Sequence, residues 1–197
     1  MADSREMPSE KAIVNFEERC EVLKDRLRQD DFLHNRGLGN EVGIYTFCYD
    51  PTLELRAQTF FSKLKLDDTL PCNIREMNLY DILIKICEQK KILTAIPKME
   101  QKKGCGGLLK QLSNVATPEA FAKIMSAEPN RPGDVVLITG VGDVYPFMRV
   151  HNILDNIQHL FEGVPIIVAY PGRFDGQTLS LFGRLKDGNY YRAFDLI

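Results

Sequence analysis

No apolar run in this 197-residue chain approaches the stretch of about eighteen residues that crosses a bilayer, so no membrane span is expected. The first twelve residues, MADSREMPSEKA, are charged and carry no apolar segment, which predicts no signal peptide and a cytoplasmic location. Cysteine is sparse and odd in number: Cys20, Cys48, Cys72, Cys87 and Cys105 form no CxxC pair. That pattern predicts reduced, mostly buried thiols and speaks against structural zinc, which uses tight ligand pairs. The three histidines supply no HxxxH pair, since His151 and His159 are eight apart and His34 is remote. A metal site is therefore not expected. The net charge of −2 gives no general attraction to nucleic acid or membrane. There is no GxxxxGK[ST], no GxGxxG and no glycine-flanked serine elbow, because Ser180 follows DGQTL. No complete catalytic constellation is legible, and no cofactor is expected. Tryptophan is absent too, with no bearing on function.

What is present reads as alternating helices and strands. Residues 1–9 are expected to be disordered, and residues 10–197 to form one domain, a size that buries a substantial core. Ile13, Val14, Phe16, Cys20, Leu23 and Leu27 recur at helical spacing opposite a charged face, which predicts a helix from Glu10 to Arg28. His34–Asn40 reads as a loop. Val42–Tyr49 is β-branched and aromatic and stops at Asp50-Pro51, a strand signature followed by a helix over Thr52–Lys65. Asn73–Asn78 reads as a short strand and Leu79–Lys91 as a helix. Residues 85–110 hold seven lysines against Glu88 and Glu100, and KKGCGG (Lys102–Gly107) reads as a loop within them. Thr117, Pro118 and Glu119 open a helix that extends to Ala127.

Two apolar runs follow, Asp134–Gly140 and Val164–Tyr170, separated by an amphipathic segment, Tyr145–Phe161, that reads as a helix. Thr178–Leu185 reads as a short helix and Asn189–Ile197 as a final strand. The pattern predicts a three-layer α/β fold, Rossmann-like, with a mostly parallel central sheet of about five strands flanked by helices.

Chemistry is expected at the carboxyl ends of the strands, where α/β folds place their sites. TGVGDVYP (Thr139–Pro146) sets Gly140, Gly142 and Asp143 directly after a strand. Such a loop can present backbone N–H groups to a phosphate or nucleotide, although Asp143 repels anions; the competing reading is a tight strand-to-helix turn. Asp50 and Asp143 together could form an acidic pocket for Mg²⁺ if their strands are neighbours. The segment Ala169–Phe194 interleaves aromatics with charges. Tyr170, Arg173, Phe174, Asp175, Arg184, Tyr190 and Tyr191 are its candidate partner-binding residues, since Tyr and Arg are favoured interface anchors. The same interleaving suits stacking on single-stranded nucleic acid, and internal pairing is the plainer alternative. The lysine-rich segment is either a solvated face or a contact for phosphates or an acidic partner.

ITGVG (Ile138–Gly142), VYPFMRVHNILDNIQ (Val144–Gln158), YPGRFDGQTLSLFGRLKDGNYYRAF (Tyr170–Phe194), IYTFCYDP (Ile44–Pro51) and NLYDIL (Asn78–Leu83) resemble the BrxB family, small components of BREX bacteriophage-exclusion systems. The resemblance spans most of residues 35–197 and is most specific over the last sixty or so. It implies a cytosolic bacterial anti-phage protein working beside a site-specific DNA methyltransferase, a large ATPase and a PglZ-type phosphatase-superfamily protein. It supplies a setting and no catalytic residues. The expectation is a non-enzymatic assembly or regulatory partner of a larger BREX protein, the PglZ-type member favoured, with no stable direct binding of nucleic acid. The alternatives are a nucleotide-binding or phosphoester-cleaving enzyme built on Gly140–Asp143, and a DNA-binding module.

Overall fold

The computed structural model describes residues 7–36, 43–176, 178–186 and 194–196. In chain order the elements are helix α1 (Glu10–Arg26), the short helix α2 (Asp30–Leu33), strand β1 (Ile44–Tyr49), helix α3 (Glu54–Leu64), strand β2 (Asn73–Asn78), and helices α4 (Leu79–Gln89), α5 (Ile96–Ser113) and α6 (Pro118–Met125). Strand β3 (Asp134–Thr139), the single turn α7 (Val141–Val144), helix α8 (Val150–Ile157), strand β4 (Ile166–Phe174), and strands β5 (Leu179–Leu181), β6 (Leu185–Lys186) and β7 (Phe194–Asp195) follow. The main sheet runs β2-β3-β4-β1-β7, with β5 added to β4 and β6 to β5. It is an open mixed α/β sheet flanked by helices. β1 pairs parallel with β4 and β7, whereas β4–β5 and β5–β6 are antiparallel. The order differs from the 3-2-1-4-5-6 arrangement of dinucleotide-binding folds.

β3 and β4 are buried on both faces, which is why they read as unbroken apolar runs (VVLIT and IIVAY) without alternation. β2, largely exposed or half-buried, carries polar residues at Asn73, Arg75, Glu76 and Asn78. The chain divides into two compact units. The first comprises Met1–Glu76, Arg131–Leu137 and Gly163–Ile197. Its core centres on Phe47, fully buried on β1. Phe16 of α1 meets the Phe47 ring edge-on at 5.9 Å, and Phe61 of α3 does the same at 5.5 Å. Phe60 stacks on it at 6.1 Å, and the Arg19 guanidinium lies 5.7 Å from its centroid. Each aromatic contact adds about 0.5–1.5 kcal/mol beyond area burial, so Phe47 holds α1 and α3 to one strand. Ser9 caps α1, its hydroxyl accepting from the Ala12 N–H.

The second unit, Met77–Asn130 and Ile138–Glu162, is helical. Asn78 caps α4 by accepting from the N–H groups of Tyr80 (2.9 Å) and Asp81 (3.2 Å). Thr117 caps α6, accepting from the Ala120 N–H. Leu79, Ile82, Leu83, Ile86 and Cys87 form the buried stripe of α4.

Several sequence expectations need correction. Lys102–Gly107 is not a free loop: it lies inside α5, which is broken only at Gly104 (φ 66°, ψ 175°). Leu108 and Leu112, four apart and buried, anchor the helical turns beyond the break. The helix expected from Tyr145 begins only at Val150. Tyr145 precedes a proline and is extended (φ −69°, ψ 137°), as clash with the proline ring requires. Thr178–Leu185 is a β-hairpin, β5–β6, and not a helix. Leu179, Ser180 and Leu181 alternate buried, half-buried, buried, and Phe182 and Gly183 both take positive φ at the turn. β4 continues through Tyr170 to Phe174, where a loop was expected. β1 and β3 are separated by β4 in the sheet, so Asp50 and Asp143 do not end neighbouring strands. Val42 and residues 187–193 and 197 fall outside the described residues, so only part of the expected first and last strands is visible.

All five cysteines are free; Cys20, Cys48 and Cys87 are buried, Cys72 is partly so and Cys105 is exposed. Burial pushes the Cys20 thiol up to about 12 and that of Cys72 to about 11, far from thiolate reactivity at neutral pH.

Among the described residues the one buried carboxylate is Asp134, 3% exposed, at the start of β3. Burial alone would push it up. Hydrogen bonds from Asn73 Nδ2 (2.9 Å), the Arg131 backbone N–H (2.9 Å) and Arg75 Nη1 (3.2 Å), together with the arginine charge, overcome that and hold it below its ordinary value. Asp134→Ala is expected to destabilise the chain by about 1–3 kcal/mol at neutral pH, because the Asn73 amide and the Arg131 N–H lose this acceptor and Arg75 loses one of its contacts. A depressed folded pKa stabilises fully above the unfolded value of about 4 and ceases to do so as pH falls through the folded value. Denaturant titrations should therefore show the gap between parent and variant narrowing as pH falls below the unfolded value. An unchanged gap at acid pH would refute the assignment.

Candidate functional site

The parallel pair β1–β4 holds register from Ile44↔Ile166 to Tyr49↔Pro171. There the two strands part. β1 stops at Asp50-Pro51, while β4 runs three residues further, through Gly172, Arg173 and Phe174. Pro171 has no N–H to donate, but its carbonyl accepts from the Phe182 N–H at 2.8 Å. From this point β4 exchanges β1 for β5, with Gly172↔Leu181, Arg173↔Ser180 and Phe174↔Leu179 in register. The switch leaves a cleft outside the carboxyl ends of β1 and β4, the place where α/β sheets bind ligands.

The cleft has two adjoining lobes that share Ser9, Asp50 and Arg173. The larger, 840 Å³, is walled by the residues leading into α1, by Asp50-Pro51-Thr52 and by the hairpin tip Phe182–Leu185. The smaller, 480 Å³, lies along α1, where Lys11, Asn15 and Arg19, spaced four apart, line one side. Gly172, Arg173 and Phe174 line the other.

Electrostatically the cleft is one-sided. Among the described residues, Lys11, Arg19, Arg173 and Arg184 line it against the single carboxylate of Asp50. One oxygen of that carboxylate is already engaged, accepting from the Thr52 N–H (2.9 Å) and hydroxyl (2.7 Å). Among the described residues, Lys11, Arg173 and Arg184 have no ion-pair partner. Such a wall attracts anionic groups and raises the rate of encounter with them.

The profile of the family described as "BREX protein BrxB" matches residues 75–196. A BREX protein BrxB of Bacillus cereus (strain H3081.97) is 38% identical over 186 residues, covering 91% of this chain and 96% of that protein. The chain belongs to the BrxB family. A second BREX protein BrxB, from Escherichia coli O9:H4 (strain HS), is 28% identical over 187 residues and 92% of each chain. No solved structure matches the chain. Family membership places the protein in a BREX phage-defence system and gives it other BREX proteins as its company. Among the described residues no helix is long and apolar enough to cross a membrane.

The residues singled out in the sequence scatter around this cleft. Arg173, Phe174 and Arg184 line it. Tyr170 does not: it is fully buried, in the interior of β4, and offers a partner no surface. Asp175 faces a structural task, its two carboxylate oxygens accepting from the Thr178 N–H (2.7 Å) and hydroxyl (2.8 Å) to brace the turn into β5. Tyr190 and Tyr191 lie outside the described residues. The glycine loop belongs to the second unit. Gly140 is left-handed (φ 70°, ψ 20°), and a Cβ there would stand 2.4 Å from the Asn78 side-chain oxygen that caps α4. Gly140 is thus required by the turn and by that close approach. Val141 and Val144 are buried beneath it, and Asp143 is exposed.

Lys11, Asn15 and Arg19 were missed as site residues. Their signal was available as a polar stripe at four-residue spacing on the predicted first helix, but nothing in the sequence aimed that stripe at the end of β4. Phe182 was visible only as one aromatic among several.

Gly172 carries the geometry of the switch. A Cβ at this position would come within 2.1 Å of the Ser180 carbonyl oxygen and 2.8 Å of the Tyr170 ring. Gly172→Ala is therefore expected to cost about 1–3 kcal/mol, because β5 must move away from β4. Thermal unfolding of the variant measures it, and a melting temperature equal to the parent's would show that β5 does not pack as closely as described.

Proposed function

We propose that this chain acts without catalysis, as a cytoplasmic assembly or regulatory partner of a larger BREX protein, and that this protein is the PglZ-type member of the system. The observation that carries the reading is the end of β4. Arg173 and Arg184, without ion-pair partners among the described residues, line a cleft beside the half-buried Phe174 and the exposed Phe182. Arginines and aromatics set around a concave surface are the residues in which interface energy concentrates. Family membership supports the same reading by placing larger proteins of one defence system beside this one.

Arg173→Ala and Phe174→Ala are each expected to weaken binding to the PglZ-type protein by about 2 kcal/mol, a loss of roughly thirtyfold, while barely changing the melting temperature. Calorimetric titration beside thermal unfolding separates the outcomes. If both variants melt well below the parent, or bind as tightly as it does, the end of β4 is structural and the interface lies elsewhere.

The non-catalytic half of the reading has its own test. Purified protein supplied with magnesium and either nucleoside triphosphates or DNA is expected to turn over neither above background. Turnover that vanishes in Asp143→Ala would replace this reading with an enzyme built on the glycine loop.

A further inference from the structure

The geometry points to the cleft at the ends of β1 and β4 as a docking site for an acidic segment of a partner protein, its carboxylates set between Lys11 on one wall and Arg173 and Arg184 on the other. Three features of the cleft converge on that occupant. The first is charge. The chain as a whole is slightly acidic, with a net charge of −2, yet among the described residues four cations and one partly engaged carboxylate line this cleft. Lys11, Arg173 and Arg184 are exposed and make no ion pair among the described residues. Cations gathered in a concavity without internal partners are complementary to an anionic ligand, and they fix its register as well as drawing it in.

The second is apolar surface. Met7, 87% exposed, and Phe182, 38% exposed, line the larger lobe together with Pro8 and Pro51. A free phosphate has no use for these side chains. A peptide that flanks an aliphatic or aromatic residue with glutamates or aspartates uses both the cations and the apolar floor.

The third is backbone strain. Phe182 holds φ 54° at the hairpin tip, a conformation that aromatic side chains rarely adopt. The hairpin enforces it through the Phe182 N–H to Pro171 carbonyl bond (2.8 Å) and the Gly183 N–H to Ser180 carbonyl bond (3.1 Å). A strained residue that stays half out in solvent, on a cleft wall, fits a ligand contact better than a packing role.

This inference rests on the partner-binding reading above and names the chemistry of its ligand. The test uses the full chain and two probes. One is the PglZ-type protein of the same system. The other is a short fluorescein-labelled peptide alternating glutamate with leucine, with a peptide carrying lysine in place of glutamate as its control. The variants are Arg173→Glu with Arg184→Glu, and separately Lys11→Glu on the facing helix. All three positions are exposed, and the parent's melting temperature is the check on folding. The acidic peptide is expected to bind and the lysine peptide not to. Each variant should weaken both the acidic peptide and the protein partner by about tenfold or more, with the parent's affinity falling as salt rises. If the protein partner binds and neither reversal weakens it, the docking inference is overturned while the assembly role stands. If the acidic peptide binds and the reversals abolish it, but the PglZ-type protein does not bind, the cleft assignment holds and the choice of partner fails. If micromolar inorganic pyrophosphate displaces the peptide, or both peptides bind alike, the cleft is a small-anion or nonspecific surface and the inference is withdrawn.

Discussion

The pairing of β1 with β4 is the constraint on which the rest of the first unit depends. Both strands sit inside the sheet and bury nearly every side chain, so their register is fixed by apolar contacts on two faces at once. A slip of one residue would carry Phe47 out of its aromatic cluster and send Tyr170, the largest fully buried side chain among the described residues, to the opposite face. The pairing also has a defined end. Pro171 terminates the ladder with β1, and the three residues beyond it are free to take a new partner. The cleft exists because one strand stops there and its neighbour does not.

What surrounds the cleft follows from the same cluster. Phe16 and Arg19 lie one turn apart on α1, and both reach the Phe47 ring, one edge-on and the other as a cation near its centroid. Those two contacts fix the rotation of α1 about its axis. Lys11 and Asn15 share the helical row of Arg19, so anchoring Arg19 at the core turns that row toward the end of β4. On the other side the hairpin is clamped by the close approach of Gly172 to Ser180. The walls of the cleft are thus set by an aromatic cluster and by one glycine, and two of its charged residues share in that work: Arg19 anchors α1 at the Phe47 ring, and the Asp50 carboxylate caps the turn Pro51–Leu53.

The elements legible in the sequence are those whose period had a single explanation. Val135–Ile138 and Ile166–Tyr170 are apolar without interruption and too short for helices, and both are central strands. Asn78 and Thr117 stand before apolar stripes of helical period, and both are caps. The elements that were misread are those where two periods coincide. Leu179, Leu181, Phe182 and Leu185 satisfy spacings of two, three and four together. The outcome was decided by β4, whose extension past β1 offered an unpaired edge that only a strand could take. That extension was invisible because PGRF contains the two residues that usually end a strand. Pro171 ends only the pairing with β1, and Gly172 permits the closer pairing with β5. The Tyr145 error has a local cause, a proline whose restriction on its predecessor outweighed the helical stripe that follows it.

The site was less legible than the fold, for a reason that is general to α/β proteins. A site at the end of a parallel sheet is assembled from segments distant in sequence, here residues near 10, 50, 173 and 183, and no short motif can record their meeting. Sequence density pointed to the stretch from Tyr170 to Tyr191, yet density does not distinguish exposure from burial. Tyr170 and Arg173 differ by three positions; one is sealed in the core and the other stands in the cleft. The distinction turns on where the ladder with β1 ends, a tertiary fact. Once Pro171 marks that end, the roles of its neighbours separate: residues before it pack against β1 and the core, and residues after it face the hairpin, α1 and whatever enters between them. Positions 171–174 are thus the hinge between a structural and a recognitive part of the same strand, and Arg173, exposed and without an ion-pair partner among the described residues, lies on the recognitive side.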